Sequence, residues 1–296
     1  MSSNSIKLYS YIDKALFKAG SHQSEFKKDY VLSIQIALDG FSFCILDTEK
    51  NKHLALETYR IQEIVNYTLL ADELNTIIDR IDVIKRRFSK VLVLFEGEKS
   101  SLVPTPLFEE TKLPDYLKFH YKLDTDEEVM SNHLQNLDAY NVFSIPFKIK
   151  ELIKSKFINT KFCHQSTTLI ESLLVKLKNQ QSGNTVFINY RESSFDIIYL
   201  KNGKMHFYNS FHYRTAEDFV YFIIFTLEQL KLNPETIDLC LLGEIDKSSK
   251  YYQLLYKYVR NIRFIERNDF YTYSYVLDNI PSNHFYNLFN ASSCEL

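Results

Sequence analysis

We predict an α/β protein made of two related mixed-sheet domains, because three observations agree. Short apolar runs of β type alternate with amphipathic helical stretches along the 296 residues. The same order of elements occurs twice: three strands, a helix, a strand, a helix and a strand. An extra segment at about residues 102–145 occurs only in the first half, which predicts a subdomain inserted into the first domain.

The predicted domain boundaries follow from these repeats. Residues 1–29 are polar, with an amphipathic patch at 12–17, and predict a loose lead-in helix. Residues 180–184 (QQSGN) are the most linker-like stretch of the chain. We therefore expect a polar lead-in over 1–29, a first domain over 30–165, a connecting helix and linker over 166–184, and a second domain with a C-terminal helix over 185–296.

The first half begins with a hairpin. Residues 31–47 contain two β-type runs around Leu-Asp-Gly, and Asp-Gly between alternating hydrophobic residues favours a tight turn. A third strand at 53–58 and a helix to about residue 87 follow. Residues 91–95 are continuously apolar, which is typical of a strand covered on both faces.

The second half repeats this order. A hairpin over 185–200 is followed by a strand at 205–213, a helix at 216–232 and an apolar strand at 237–242. Aligning the halves places Ile34 on Ile188 and, after one short length change, Ile77 on Ile223. Each half then ends in a helix and a strand, at 147–157 and 160–164 in the first and at 250–259 and 262–266 in the second.

An acidic run lies in the predicted insertion. Asp124–Glu128 precedes His133, a combination compatible with a metal site. However, Thr125 with Glu128 three residues later has the spacing of a capping box, and acidic side chains favour the first turn of a helix. We therefore predict a helix N-terminus here and expect no metal.

The composition excludes several classes of function. A net charge of −2 gives no broad positive field for nucleic acid or an anionic membrane surface. The six glycines include no Gly-Gly pair, so neither a P-loop nor a dinucleotide-binding glycine motif can form. Residues 219–225, the longest apolar stretch, are far shorter than the roughly 18 residues of a membrane span. We expect no nucleic-acid partner and no direct membrane insertion.

The cysteines indicate a reducing compartment. The four are widely separated and form no C-x-x-C pair, so a zinc site is not expected. Three of them lie in apolar runs, as buried free thiols do. We therefore expect a cytoplasmic protein. Cys163 and His164 are adjacent on a predicted strand, so they should face opposite sides, one in the core and one on the surface.

The order of segments resembles the actin-like ATPase superfamily over about residues 30–290. It resembles the pilus- and secretion-assembly members PilM and GspL and an uncharacterised family of bacterial proteins with that fold. Residues 141–146 (NVFSIP), a helix, residues 161–164 (KFCH) and a further helix resemble the end of the first PilM domain. The resemblance implies a duplicated, ribonuclease H-like fold with a cleft between the two domains.

The catalytic motif of the active superfamily members is replaced in this chain. Their first hairpin carries Asp, any residue, Gly and later a Lys; their second repeats the Asp and the Gly; and a Gly-Gly pair lies on the adenosine side. In the first hairpin, the Asp, Gly and Lys positions are occupied here by Gln35, Ala37 and Ser42. In the second, the Asp and Gly positions are Asn189 and Arg191. The Gly-Gly pair is replaced by Gly243 and Glu244. The carboxylates of the motif hold Mg²⁺ and orient the attacking water, while its glycines let backbone N–H groups approach the phosphates. An amide has no negative charge for the metal. We therefore expect these to be degenerate cleft positions, with no catalytic residue and no cofactor.

Alternatives stay open at these positions. Gln35 and Asn189 are compatible with an unusual nucleotide pocket or with ordinary polar residues at strand ends. The fork geometry of Arg191 suits a phosphate or carboxylate. A salt bridge is the commoner use, with Glu192, Asp196 and Glu244 as candidate partners.

Two surfaces are candidates for binding a protein. The aromatic cluster at 270–275 either forms an exposed partner surface or directs Tyr271, Tyr273 and Tyr275 towards the core. The proline-fixed segment 102–108 lies in the insertion, where the resemblance to PilM implies contacts with peptide partners. We expect a non-catalytic scaffold that binds an unidentified protein, and a homo-oligomer is compatible. The rival hypothesis is an atypical nucleotide-binding ATPase or kinase of the same superfamily.

Overall fold

The chain folds into two compact α/β units. The computed structural model describes residues 5–14, 16, 30–62, 64, 66–178 and 183–293. The first unit comprises Met1–Ser172, Asp269–Asn279 and Asn287–Leu296, and the second comprises Leu173–Asn268 and Ile280–Tyr286.

Fifteen strands and seven α-helices are assigned over the described ranges. The strands are β1 Ser5–Ile12, β2 Tyr30–Ala37, β3 Gly40–Asp47, β4 Lys52–Ile61, β5 Lys90–Phe95, β6 Ser100–Pro104, β7 Glu127–Leu134, β8 Ala139–Pro146, β9 Thr160–His164, β10 Asn184–Tyr190, β11 Ser194–Lys201, β12 Lys204–His212, β13 Asp238–Gly243, β14 Asn261–Phe264 and β15 Thr272–Tyr273. The helices are α1 Tyr67–Arg80, α2 Leu113–Lys118, α3 Phe147–Lys156, α4 Gln165–Leu177, α5 Ala216–Gln229, α6 Lys250–Leu255 and α7 Tyr286–Asn290.

The main sheet of the first unit is mixed, with the order β1-β4-β3-β2-β5-β9. Strands β1 to β4 pair antiparallel, whereas β5 and β9 join parallel to β2 and to each other. The apolar strands β2, β3 and β5 lie in the middle and are almost fully buried, as the continuous apolar run at 91–95 predicts. Helices α1 and α3 add buried apolar side chains to the same core.

The sheet of the second unit has the order β12-β11-β10-β13-β14. The first three strands pair antiparallel, and β13 and β14 are parallel to β10 and to each other. This order and these polarities match β4-β3-β2-β5-β9 of the first unit. The carboxyl ends of β2 and β5, and those of β10 and β13, therefore meet at equivalent edges of the two sheets.

Helix α1 follows β4 and helix α5 follows β12, and their caps correct the alignment of the two halves. Each has 14 residues, and in each the N-cap side chain accepts a hydrogen bond from the third helical N–H. Aligned on these caps, the buried residues coincide: Leu70, Leu74 and Ile78 of α1 match Phe219, Ile223 and Leu227 of α5. The sequence alignment of Ile77 with Ile223 was thus wrong by about one helical turn. Apolar residues recur on one face at each turn, so an alignment shifted by one turn matches the pattern equally well.

Between β5 and α3, the first unit contains a separate three-stranded antiparallel sheet with the order β6-β8-β7. The predicted helix at Thr125 was wrong, because β7 begins at Glu127 in register with β8. The acidic side chains that suggest a helix cap instead bind a lysine: Lys99 Nζ lies 3.0 Å from Asp124 Oδ2 and 2.8 Å from Glu127 Oε2.

Both termini differ from the predictions. Residues 5–12 form an edge strand against β4 rather than part of a loose lead-in helix. At the other end, Asp269–Asn279 and the segment from Asn287 pack with the first unit, not with the predicted 185–296 domain. Strand β15 pairs with β4, and the buried Phe289 contacts the His53 ring at 4.9 Å between centroids. Such long-range pairings leave no local periodicity to predict them.

The remaining predictions concern the aromatic cluster, the linker and cysteines, and membrane-spanning helices. Tyr271 is buried as expected of a core-facing residue, but Tyr275 is 65% exposed. The linker residues 180–182 and Cys294 lie outside the described residues. In the part of the chain that the structure describes, no helix is both long and apolar enough to cross a bilayer.

Candidate functional site

The positions that the sequence analysis aligns with the motif of the first hairpin lie at or beyond the carboxyl end of β2 in the first unit. Gln35 is paired with Ser42 across the β2–β3 hairpin and with Leu94 on the parallel strand β5. The Gln35 Nε2 amide donates a hydrogen bond to Glu96 Oε1. The hydroxyls of Ser42 and Thr58 are hydrogen-bonded at 2.6 Å. The side chains at the Asp and Lys positions of the motif are therefore bound within their own unit.

The hairpin that would approach a phosphate is tight. Ala37 pairs with Gly40, which leaves a loop of Leu38 and Asp39 alone. A Cβ atom on Gly40 would lie 3.3 Å from the backbone oxygen of Tyr59, so the turn packs closely against the next strand.

Glu96 was missed by the sequence analysis. It follows β5 directly, and its backbone N–H donates to the Ile36 carbonyl at 2.9 Å. The signal was present, because side chains that follow neighbouring parallel strands meet at one edge of a sheet. Its carboxylate and the Gln35 amide are brought together by the β2–β5 pairing.

A pocket of about 400 Å³ opens at the same edge of the first unit. Its walls come from the hairpin turn, the start of α1, the end of β5 and the β6-β8-β7 segment. The lining residues are Leu38, Asn66, Tyr67, Thr68, Phe95, Gly97, Glu98, Lys99, Asp124, Asp126, Glu127, Ser144 and Pro146.

The lining is strongly acidic. One cation, Lys99, faces four carboxylates, those of Glu98, Asp124, Asp126 and Glu127. Burial lowers the pKa of Lys99, but hydrogen bonds to Glu127 and Asp124 outweigh it and leave the pKa above its usual value. The lysine therefore stays protonated and holds Asp124 and Glu127 together, while the lining keeps an excess of negative charge.

An aromatic pair forms one side of the pocket. The rings of Tyr67 and Phe95 are 5.7 Å apart between centroids. Burial, together with the negative charges of Glu98 and Glu127, raises the pKa of Tyr67 to about 12. Aromatic faces and carboxylates both attract cations. The lining therefore favours a cationic group and disfavours an anionic phosphate.

His164 lies beneath this edge and is buried, so the predicted surface position was wrong. Its Nε2 is 2.8 Å from the Gly97 carbonyl and its Nδ1 is 2.6 Å from Ser166 Oγ. The face of β9 opposite Cys163 is not a surface here, because the β6-β8-β7 segment covers it and Phe143 contacts the imidazole. Ser166 is fully buried, so this histidine–serine pair fixes structure and is not accessible to a substrate.

In the second unit, the side chains at the matching positions bind one carboxylate. Asp196 is fully buried on β11. Asn189 Nδ2 donates to its Oδ2 at 2.9 Å and Arg191 Nη2 donates to its Oδ1 at 2.9 Å. The Tyr208 hydroxyl lies 3.3 Å from the same Oδ1 atom. Among the three candidates, Asp196 therefore forms a salt bridge with Arg191.

Gly243, which the sequence analysis aligns with the Gly-Gly pair of active superfamily members, is tightly enclosed. Its φ is +90°, and a Cβ atom would lie 2.0 Å from the Tyr190 carbonyl oxygen. Its N–H donates to the Asn283 carbonyl at 2.9 Å, and its own carbonyl accepts from Asn283 Nδ2 at 2.8 Å. Glu244, the next residue, is exposed. Asn283 was not found from the sequence, since it lies 40 residues away in a segment without periodicity.

Within the described ranges, no three His, Cys, Asp or Glu side chains are arranged to hold an ion.

The comparison with solved structures defines the class of protein: it has the actin-like ATPase fold. A Bacteroides thetaiotaomicron protein of that fold and of unknown function matches with a TM-score of 0.77 and 22% identity, over 90% of this chain and 97% of that chain. The PilM–PilN type IV pilus biogenesis complex matches with a TM-score of 0.58 and 11% identity, over 89% of this chain and 98% of that chain.

The family follows from the sequence itself. The chain belongs to the DUF3822 family, a family of proteins of unknown function, whose model matches residues 21–262. This confirms the expected family of unknown function with an actin-like fold. A search of curated proteins finds no match.

Proposed function

We propose that this protein is a non-catalytic, degenerate member of the actin-like fold that works as a cytoplasmic protein-interaction scaffold. In this proposal the two units are duplicated domains, and the β6-β8-β7 segment is a subdomain inserted into the first. The three described cysteines are free and buried, in keeping with a reducing compartment.

The observation that carries the proposal is the internal bonding of the motif positions. Gln35 binds Glu96, while Asn189 and Arg191 bind Asp196. The N–H of Gly243 is bound to Asn283. A nucleotide or a hydrated Mg²⁺ ion would have to break these contacts before it found a ligand, and an amide offers the metal no charge.

The charge of the pocket supports the same conclusion. Two like unit charges about 8 Å apart repel by about 2 kcal/mol at an effective dielectric constant of about 20. The three excess negative charges of the lining would therefore repel a triphosphate at the hairpin turn that carries Leu38. The same charges attract a basic side chain of a protein partner.

The fold comparison supports a protein partner. PilM, which shares this fold over most of its length, is found in complex with PilN. We infer that the acid-lined pocket of the first unit is where this chain binds a segment of its partner, with a lysine or arginine placed between the carboxylates and the Tyr67 ring.

One observation favours the rival hypothesis of an atypical ATPase or kinase. Glu96 places a carboxylate beside Gln35, at the edge where active relatives hold their metal. A single carboxylate that is already bound to an amide is a weak anchor for Mg²⁺ compared with the two aspartates of the motif.

Thermal unfolding with ATP, with and without Mg²⁺, separates the two hypotheses. A ligand at 100 times its dissociation constant adds about 2.7 kcal/mol to the free energy of unfolding. We expect the melting temperature to stay unchanged with millimolar Mg–ATP. A rise that requires Mg²⁺ and is abolished in Glu96→Gln would overturn the proposal in favour of the rival.

A further inference from the structure

The outer face of α5, in the second unit, is unusually apolar. Tyr221 is 61% exposed and Phe225 is 44% exposed. Their rings stack at 6.0 Å with an angle of 18° between the planes. Large aromatic side chains exposed together on one helix face mark an interaction surface more often than single ones do.

The matching helix of the first unit shows that packing does not require these aromatic residues. Aligned on their N-caps, α1 and α5 bury equivalent positions, so their outer faces can be compared directly. Tyr221 and Phe225 of α5 occupy the positions of Asp72 and Thr76 in α1. The same place in the same fold is thus polar in one unit and aromatic in the other.

The charge on α5 indicates what covers this face. The helix carries three acidic side chains and no basic one. Two of them, Glu217 and Glu228, are exposed and lie four residues before Tyr221 and three residues after Phe225. A second copy of α5 laid antiparallel would bring Glu217 near Glu228 of the other copy, and these like charges would repel. A partner with basic side chains would instead pair with both glutamates, and its cations would also stack on the exposed rings.

We propose that the α5 face, defined as Glu217, Tyr221, Phe225 and Glu228, binds a basic amphipathic helix of another protein. The four side chains extend along about 16 Å of the helix axis, which corresponds to three turns of a partner helix. Apolar residues of the partner cover the stacked rings, and its lysines or arginines lie over the glutamates. The α5 face belongs to the second unit, so this inference does not depend on the pocket of the first.

The test uses a synthetic 18-residue amphipathic helix of leucine and lysine that contains one tryptophan. The protein has no tryptophan, so the fluorescence of the peptide reports binding selectively. We expect Tyr221→Asp/Phe225→Thr, which introduces the residues of α1, to weaken binding by at least about tenfold, because buried aromatic side chains dominate such interfaces. A leucine–glutamate peptide of the same pattern should not bind.

A matched variant removes two exposed aromatic residues elsewhere in the same unit. Tyr256 is 59% exposed and Tyr258 is 54% exposed. We expect Tyr256→Asp/Tyr258→Thr to bind the leucine–lysine peptide like the wild type, and thermal unfolding checks that both variants fold.

Three outcomes would overturn the inference. The wild type would fail to bind the peptide, or both double variants would bind it equally. Alternatively, sedimentation would find a wild-type dimer that Tyr221→Asp/Phe225→Thr dissociates, which would make a second copy the occupant.

Discussion

The two units place different chemistry at equivalent edges of their two sheets. In the first unit, Gln35 binds Glu96 beside an open, acid-lined pocket. In the second, Arg191 and Asn189 enclose the buried Asp196. The first unit thus keeps space and excess charge at this edge, whereas the second satisfies its own charge internally. Equivalent positions of the two sheets therefore carry an open acidic pocket in one unit and a buried ion pair in the other.

The buried carboxylate of the second unit should give the largest effect of a single substitution. Removing Asp196 leaves the Arg191 guanidinium, whose side chain is 17% exposed, without its counter-ion. We expect Asp196→Ala to lower the free energy of unfolding by about 3–5 kcal/mol. Urea denaturation at neutral pH measures this loss.

An exposed ion pair in the same unit provides the control. Arg263 and Asp238 lie 2.9 Å apart, and both side chains are more than a third exposed. Asp238→Ala should cost less than about 1 kcal/mol. Similar losses for Asp196→Ala and Asp238→Ala would contradict the structural role of the buried pair.

A smaller loss is expected at the adenosine-side glycine. Gly243→Ala would force a positive φ on a residue with a Cβ atom and would drive that atom into the Tyr190 carbonyl. We expect a loss of about 2–4 kcal/mol in the free energy of unfolding.

The loss expected for Gly243→Ala has two causes, the positive φ and the contact with Tyr190, and Gly183 allows them to be separated. It also has a positive φ, of +148°, but no atom lies within 4 Å of the Cβ position. Gly183→Ala should therefore cost clearly less than Gly243→Ala, and an equal cost would show that the close approach of Tyr190 is unimportant.

The pocket of the first unit should distinguish charges. We expect a fluorescein-labelled hexa-arginine peptide to bind about tenfold more weakly to Glu98→Gln/Asp126→Asn than to the wild type, because the lining loses two negative charges. Fluorescence anisotropy at physiological salt measures this.

A matched variant removes two carboxylates outside the pocket. Glu109→Gln/Glu110→Gln changes the net charge by the same amount at exposed residues. If this variant weakened binding as much as the pocket variant, the attraction would come from the net charge of the chain and not from the pocket.

The smallest expected effect is on the pH dependence of stability. The pKa of Tyr67 is about 12 in the folded protein, above its ordinary value of 10.0. Between pH 10 and pH 12, Tyr67 is deprotonated in the unfolded chain but still protonated in the folded protein. Its contribution to stability is therefore complete below pH 10 and falls as the pH rises towards 12. Tyr67→Phe should therefore lose less stability than the wild type over that range, as urea denaturation at pH 9.5 and pH 11 would measure. Identical losses would contradict a buried phenol facing carboxylates.

Much of the fold was predictable because its signals are local. The Asp-Gly turn of the β2–β3 hairpin, the apolar run of β5 and the capping box of Thr215 and Asp218 at α5 each lie within a few residues. The general α/β class with the actin-like fold followed from their order and is confirmed by the solved relatives.

What the sequence did not predict depends on distant partners. Strand β1 is held by β4, a partner that residues 5–12 alone did not indicate. The acidic start of β7 resembles a helix cap until the position of Lys99 is known. The bonds from Gln35 to Glu96 and from Gly243 to Asn283 join residues that are 61 and 40 positions apart. The sequence identified the replaced motif positions but not the groups that satisfy them.

The central claim is that the internally bonded motif positions leave this fold without nucleotide chemistry. The most direct test is phosphate release from millimolar Mg–ATP by the purified wild-type chain, with Asp196→Ala as a comparison that opens the second unit's enclosed position. We predict that both release phosphate at the rate of buffer alone. Release by the wild type above that rate, abolished when Mg²⁺ is chelated, would contradict the account.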